Sequence, residues 1–488
     1  MNWEVRTMRS GTSFFNGTVF KKTVLRFWPL WGAYFAIWLV LLPLNGLMLL
    51  RMDSYGVNDF RYMEEFAYGH VPQSAGLGWW VLPLLFSALC AMAVFSHLYN
   101  PRSANFFGGL PVRREGLFLT HYLAGLSFLI IPNAAIFLLT LLVEAAGGVV
   151  CLQGLLFWLA VSCGEELFFY SLAVFCAMFT GHILALPAFY AVVNFLVIGV
   201  TQLVNIALRA FYYGFDGLTE EVYGVVKWFT PVVQLDERVG AFWRWADEAA
   251  QASGGGRTLE IHGLGTVGVY AIAALALTVG AFFLYRVRRL ESAGDVVSVR
   301  PMRPVFKYGV ALCAGLAFGM VTVVFTGGRE IMLMIAIVVW GLIGYFAAQM
   351  LLDKSFRVFG RWKGGLAVAA VFAALFCVVG FDLTGYETRV PTADQVESVQ
   401  IYGLCVNRLG DDGDFLDAVT SDPELIEGAI LLHQVAVDQR DADQPSGMEG
   451  AQLNLTYHLK NGSTLTRCYT IWVDTAQADE EGSAAWAI

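Results

Sequence analysis

Apolar residues run along this chain in long unbroken blocks, not in the short alternating stretches of a soluble fold. A helix needs about 20 apolar residues to cross a bilayer. On that measure the chain predicts nine spans, roughly 28–50, 77–99, 119–143, 155–179, 183–206, 264–285, 308–326, 331–352 and 364–381. The fourth and fifth are separated only by Thr180-Gly181-His182, a hairpin with almost no loop.

Ahead of the first span, Phe20, Val24 and Phe27 recur at helical spacing among Lys21, Lys22 and Arg26. Residues 1–27 therefore read as a helix lying in the membrane interface, or as a charged lead-in. Between the second and third spans lies a basic segment, residues 100–118. Asn100 can cap a helix there, Pro101 fits its first turn, and Gly108-Gly109 stop it after about two turns. Phe106 and Phe107 ride on that short rod among Arg102, Arg113 and Arg114, the composition of a partner-binding knob. The alternative is an ordinary turn whose two Phe lie back on the headgroups.

Residues 207–263 form a long loop. Val222–Phe229 and Val239–Ala250 are expected to be helical, with Pro231 between them and Ser253-Gly254-Gly255-Gly256 as a flexible end. Trp228, Trp243 and Trp245 suggest helices resting on an interface.

Beyond Phe381 the pattern becomes polar, with 19 acidic residues in 382–488. Ser421-Asp422-Pro423-Glu424 predicts a capped helix with Leu425, Ala429, Leu432 and Ala436 on its apolar face. Leu453, Leu455, Tyr457 and Leu459 alternate with polar residues as a half-buried strand. Asn461-Gly462 then turns into a second strand, Thr464–Val473, and Glu397–Leu404 supplies a third. The acidic run Asp411-Asp412-Gly413-Asp414 lacks the full calcium-loop pattern. Cys405 and Cys468 lie in this region, and their pairing is left open.

The composition agrees: of 488 residues 57% are hydrophobic and only 15% charged, which indicates a membrane protein. Gly315-x-x-x-Gly319 is a small-residue pair suited to helix packing in lipid. The net charge of −9 conceals an asymmetry. Segments 1–27, 100–118, 180–182, 286–307 and 353–363 hold 18 basic and 5 acidic residues. Segments 51–76, 144–154, 207–263, 327–330 and 382–488 hold 13 basic and 33 acidic ones. The basic set is expected in the cytoplasm. The expected fold is thus an all-α polytopic membrane protein of about nine transmembrane helices, N-terminus in and C-terminus out, with a small extracytoplasmic α+β domain over 382–488.

Little in the chain suggests catalysis of its own. None of the seven lysines follows a glycine, so no phosphate-cradling loop is present, and any ATP-Mg would be held by a partner. Glu165 and Glu166 fall in the outer half of the fourth span and suggest the lining of a transport path. Arg209 is a candidate partner for them, and carboxylates lying at headgroup level are the alternative. The run Glu165-Glu166-Leu-Phe-Phe-Tyr170 also resembles the Glu-Glu-x-x-x-Arg signature of CAAX-type intramembrane proteases. Tyr170 stands in the place of Arg, however, and His182 and Asn194 do not complete a catalytic set. No metal-ligand pattern occurs among the eight cysteines or the histidines.

Phe27-Trp-Pro-Leu-Trp31, Arg102-Ser-Ala-Asn-Phe-Phe107, Leu110-Pro-Val-Arg-Arg-Glu-Gly-Leu-Phe118, Ala293-Gly-Asp295, Pro304-Val-Phe-Lys-Tyr-Gly309, Lys354-Ser-Phe-Arg-Val-Phe359 and Phe381-Asp-Leu-Thr-Gly-Tyr386 together resemble one family. It is the permease subunits of type-2 ATP-binding-cassette exporters, in particular the large Ytr-like permeases of Gram-positive bacteria. The resemblance covers most of 10–390. It implies an interfacial helix over 1–27 and a six-helix core over 28–285 with a coupling helix at Pro101–Leu110. ATPase-coupling residues would be Arg102, Asn105, Phe106, Phe107, Leu110, Pro111 and Arg113. Three additional spans over 286–381 and the outer domain depart from the minimal plan. The implied partners are a cytoplasmic ATPase, a second permease subunit and membrane lipid, with no nucleic acid. The expected substrate is a bulky amphipathic peptide, antibiotic or lipid. A membrane-bound sensor reading an envelope ligand through the outer domain is the alternative of another class.

Overall fold

The computed structural model describes residues 15–53, 60–76, 78–100, 102–103, 113–183, 185–245, 257–288, 302–326, 330–353, 355–383, 385–402, 417–440 and 449–473. Asn16 opens the first helix, accepting from the N–H groups of Thr18 and Val19 at 3.1 Å. Helix α1 (Gly17–Arg26) buries Thr23 and turns Lys21 and Lys22 outward, as the sequence pattern predicts. Helix α2 (Trp28–Leu39) passes through a wide π turn, Val40–Leu44, into α3 (Asn45–Asp53). Pro43 lies in that turn, where the missing N–H interrupts the regular ladder. Then come α4 (Phe60–Glu65), α5 (Val71–Gln73), α6 (Val81–Val94), α7 (Arg114–Ala146), α8 (Leu152–Phe179) and α9 (Ala185–Phe211). Short helices α10 (Glu220–Trp228) and α11 (Pro231–Arg238) precede strands β1 (Gly240–Trp245) and β2 (Arg257–His262). Helices α12 (Leu264–Val287), α13 (Met302–Thr326), α14 (Glu330–Asp353) and α15 (Trp362–Gly380) follow. The chain finishes with β3 (Val396–Tyr402), β4 (Asp417–Thr420), α16 (Pro423–Asp438), β5 (Glu449–Leu459) and β6 (Thr464–Val473).

Among the described residues, eight helices are long and apolar enough to cross a membrane, so this is a multi-pass membrane protein. The expected second span, 77–99, is not one of the eight. Its helix is the 14-residue α6, about 21 Å of rod. A turn containing Gly78 at φ 85° precedes it, and Phe95 breaks it into a 3-10 turn, Ser96–Leu98.

A second correction concerns the expected helix Val239–Ala250, whose described part is strand. Residues Gly240–Trp245 pair antiparallel with Arg257–His262, Trp243 opposite Leu259. Trp243 and Trp245 recur two apart in the first segment, as do Leu259 and Ile261 in the second, a period of two that suits a ribbon better than a helix. Residues 246–256, with the glycine run, lie outside the described residues.

The chain forms two compact units, 1–198 with 225–303 and 199–224 with 304–488. In the first, the segments that the charge count set apart gather at opposite ends. At one end the Asn16 N–H donates to Thr120 Oγ1 at 3.1 Å, and the His97 and His121 rings stack at 4.8 Å. There too the Arg288 guanidinium donates to the carbonyls of Ala177, Met178 and Leu98. At the other end Asp236 Oδ1 accepts from the Gly78 N–H and from Trp80 Nε1, and Arg257 pairs with Glu64 and Glu65. The short α6 therefore still leads from one end of the bundle to the other.

In the second unit α13 and α14 meet through glycines. A Cβ on Gly319 would lie 2.6 Å from Ile337 Cγ1, and one on Gly315 2.9 Å from the Ile337 carbonyl. The Gly-x-x-x-Gly pair thus packs backbone against side chain, as expected of it. The polar tail folds as an antiparallel sheet in the order β4-β3-β5-β6, with α16 sharing its core. The Asn461-Gly462 turn and the alternation of β5 fall where predicted, with Leu453, Leu455 and Tyr457 fully buried. Strand β4 was not foreseen. The helix is capped by Asp422, with Pro423 in its first turn. Its buried face begins at Ile426, whereas Leu425 is exposed. Tyr213, just after α9, donates its hydroxyl to the Ala436 carbonyl and its N–H to Glu387. Arg467, fully buried, lies 3.8 Å over the Tyr386 ring and donates to the Tyr386 carbonyl.

Candidate functional site

Helix α8 is the most buried of the long apolar helices. Large side chains clothe it all round, with Leu155, Trp158, Val161, Phe169 and Tyr170 fully enclosed. Gly164 lets Val267 of α12 approach closely. At the midpoint of its 28 residues stand Glu165, 4% exposed, and Glu166, 0% exposed. The helix begins at Leu152, which places both carboxylates centrally.

Two other helices reach Glu166. From α2, the Tyr34 hydroxyl oxygen lies in hydrogen-bond contact with Glu166 Oε1 and 3.0 Å from Asn133 Oδ1. From α7, Asn133 Nδ2 donates to the same Glu166 oxygen at 2.9 Å. Asn133 follows Pro132, whose ring interrupts the helix ladder in mid-span and loosens the turn that carries the amide. Trp38, one turn beyond Tyr34, meets Trp158 edge-on at 5.1 Å, and Phe86 of α6 meets the Tyr34 ring at 5.0 Å. Glu166 Oε2 is buried without a hydrogen-bond partner among the described residues.

No Lys or Arg among the described residues forms an ion pair with either carboxylate. Arg209, the expected partner, is engaged elsewhere. Its guanidinium donates to the Asp216 carbonyl and lies 3.9 Å from the Asp216 carboxylate. Two acids without a counter-charge in an apolar span carry a cost of several kcal/mol unless something else neutralises them.

Tyr170 stands one helical turn from Glu166. Its hydroxyl presses on Gly125, where a Cβ would lie 2.0 Å away, and among the described residues it has no hydrogen-bond partner. Beside it Tyr122, Ser171 and Thr278 form a hydroxyl cluster, with Tyr122 to Ser171 at 2.7 Å and Thr278 to Tyr122 at 2.9 Å. His182 lies in the turn after α8, its N–H on Thr180 Oγ1, and Asn194 donates to the Tyr190 carbonyl. Among the described residues, no three His, Cys, Asp or Glu side chains group as metal ligands.

Of the residues expected to couple an ATPase, Arg102 and Arg113 are described and both are exposed. The Arg102 N–H donates to Asn100 Oδ1 at 3.0 Å, the cap predicted for a helix starting there. Asn105, Phe106, Phe107, Leu110 and Pro111 lie outside the described residues, as do Cys405 and Asp411–Asp414.

Sequence reasoning missed Tyr34 and Asn133. Each is a lone polar group in an apolar run, and Asn after Pro in mid-span was a readable signal of a polar contact. Comparison of the chain with protein-family models, with curated proteins and with solved structures gives no match.

Proposed function

We propose that this chain is the transmembrane subunit of an ATP-binding-cassette transporter, working in a bacterial plasma membrane with a separate cytoplasmic ATPase and a second permease subunit. The observation that carries this reading is the acid pair Glu165 and Glu166. It is enclosed at the centre of the most buried helix, and its Glu166 is held by side chains from two further spans. Maintaining such a centre costs stability, and that cost fits a bundle whose helices part to offer a polar path. The basic end carries the exposed Arg102 and Arg113 beside the segment expected to receive the ATPase stroke. In this scheme that end faces the cytoplasm, α6 with its flanking turns completes the return crossing, and the α+β domain lies outside. The substrate is a bulky amphipathic molecule of peptide-antibiotic or lipid type.

Purification from native membranes with a tag on this chain, followed by ATPase assay, tests the proposal. A nucleotide hydrolase should copurify. Substituting Phe106 and Phe107 together by Ala should uncouple ATP turnover from transport at normal expression. Absence of any hydrolase from the intact complex would reject it, and leave the sensor reading to be tested by deletion of 390–488.

A further inference from the structure

Three contacts close a ring across α2, α7 and α8, and the protons on the other members do not suffice to fill it. The Tyr34 oxygen faces both Glu166 Oε1 and Asn133 Oδ1, and each contact between two oxygens needs a proton. Tyr34 has one. Exchanging the amide N and O of Asn133 only moves the shortfall, because Oδ1 would then face Glu166 Oε1 across 2.9 Å. With a proton on Glu166 Oε1 every contact has one donor. Glu166 donates to Tyr34, Tyr34 donates to Asn133, and Asn133 Nδ2 donates back to Glu166. Hydrogen bonds closed in this way polarise one another. The partnerless Oε2 is also cheaper to bury as the carbonyl of a neutral acid than as half of an anion.

Charge balance points the same way. The titratable groups around Glu166 are Tyr34 on α2, Cys90 on α6, and Cys163 and Glu165 on α8, with Asp236 of α11 acting on Glu165. Asn133 on α7 and Val267 on α12 bring no charge. Every one of these groups is neutral or acidic, so among the described residues none of them compensates an ionised pair.

We propose that Glu166 is a proton-binding site of the membrane bundle, and that release of its proton opens the ring and frees α2 and α7 from α8. The ligand is the proton itself. This goes beyond the transporter reading and would hold for a bundle driven in any other way.

Infrared spectroscopy of the purified full chain in lipid at neutral pH tests it without ATP or transport. A protonated-carboxyl stretch that shifts in heavy water should be present, and the component assigned to Glu166 should be lost in Glu166→Gln and retained in Glu165→Gln, whatever buried Glu165 and Glu144 contribute beside it. Binding of this proton by the fold makes the thermal midpoint of the unsubstituted chain fall as pH rises from the ordinary carboxylate range through neutral. That fall should be shallower in Glu166→Gln, because an amide keeps a donor and an acceptor at every pH. Should Glu166→Gln fail to fold, Tyr34→Phe must move the same stretch by removing its hydrogen bond. A Glu166→Gln spectrum that loses only ionised-carboxylate absorption overturns the proposal. So does a stretch unmoved by Tyr34→Phe, or a pH dependence of melting as steep in Glu166→Gln as in the unsubstituted chain.

Discussion

The Arg257 guanidinium lies 4.0 Å from the centre of the Trp243 ring, across the hairpin from its own strand, while pairing with Glu64 and Glu65. Its side chain is 6% exposed, and Trp245 lies 4.9 Å away on the same guanidinium. The stack and the ion pairs together hold β1 and β2 against α4. Arg257→Ala strands Glu64, 9% exposed, and should cost about 3 kcal/mol locally. Hydrogen exchange over Gly240–Trp245 should then quicken roughly a hundredfold. Arg257→Lys should recover little of this, because an ammonium lacks the flat face that rests on Trp243.

Gly125 and Tyr170 make a second test. A methyl at Gly125 meets the Tyr170 hydroxyl at 2.0 Å and the ring beyond it, so Gly125→Ala should destabilise by about 1–3 kcal/mol. Tyr170→Phe removes a buried hydroxyl that has no partner and should be neutral or mildly stabilising. Thermal unfolding in detergent measures both. A Tyr170→Phe variant that melted well below the unsubstituted chain would assign the hydroxyl a contact of its own.

Gly319→Val should separate α13 from α14. Its added atoms meet Ile337 Cγ1 at 2.6 Å and the Ile337 backbone at 3.1 Å, and backbone cannot swing aside as a side-chain tip can. The expected loss is about 1–3 kcal/mol. Ile337→Ala in the same chain should relieve part of it, a coupling that a double-mutant cycle reads directly.

His433 gives the α+β domain a pH limit. It is fully buried, its Nε2 is 2.9 Å from the Tyr469 hydroxyl, and its ring stacks on Tyr457 at 5.6 Å. Burial, helped by nearby Arg467, lowers its pKa from 6.5 to about 4. The fold therefore binds fewer protons than the unfolded chain between those values. Stability is complete above pH 6.5 and falls as the pH drops toward 4, by about 3 kcal/mol in all. Hydrogen exchange of Pro423–Asp438 in the full chain should accelerate over that window, and His433→Leu should remove the dependence.

Much of this fold could be read from local pattern. Apolar run length locates every long helix, and the Asn461-Gly462 turn with its flanking alternation locates β5 and β6. Failures came where two periods compete or where contacts are remote. The segment Gly240–Trp245 carries tryptophans that suit either an interfacial helix or a ribbon, and its partner strand begins 12 residues later, beyond a glycine run. Leu425 and Ile426 are equally apolar neighbours, and only the docking of the helix decides which is covered. At the acid centre Glu165 and Glu166 stand out as charges in a span. Tyr34 and Asn133 are 132 and 33 residues away from Glu166, and only tertiary packing makes them its partners.

Tyr213 and Tyr386 have a consequence for motion. One follows the last turn of α9 and the other follows α15 by six residues, and both are fastened to a single sheet through Tyr469 and Arg467 of β6, the first also to Ala436 of the helix packed on it. Two rods staked to one plate cannot swivel independently. Any stroke that tilts the end of α9 must drag α15 along or tear the plate loose, which makes the sheet a yoke for that pair.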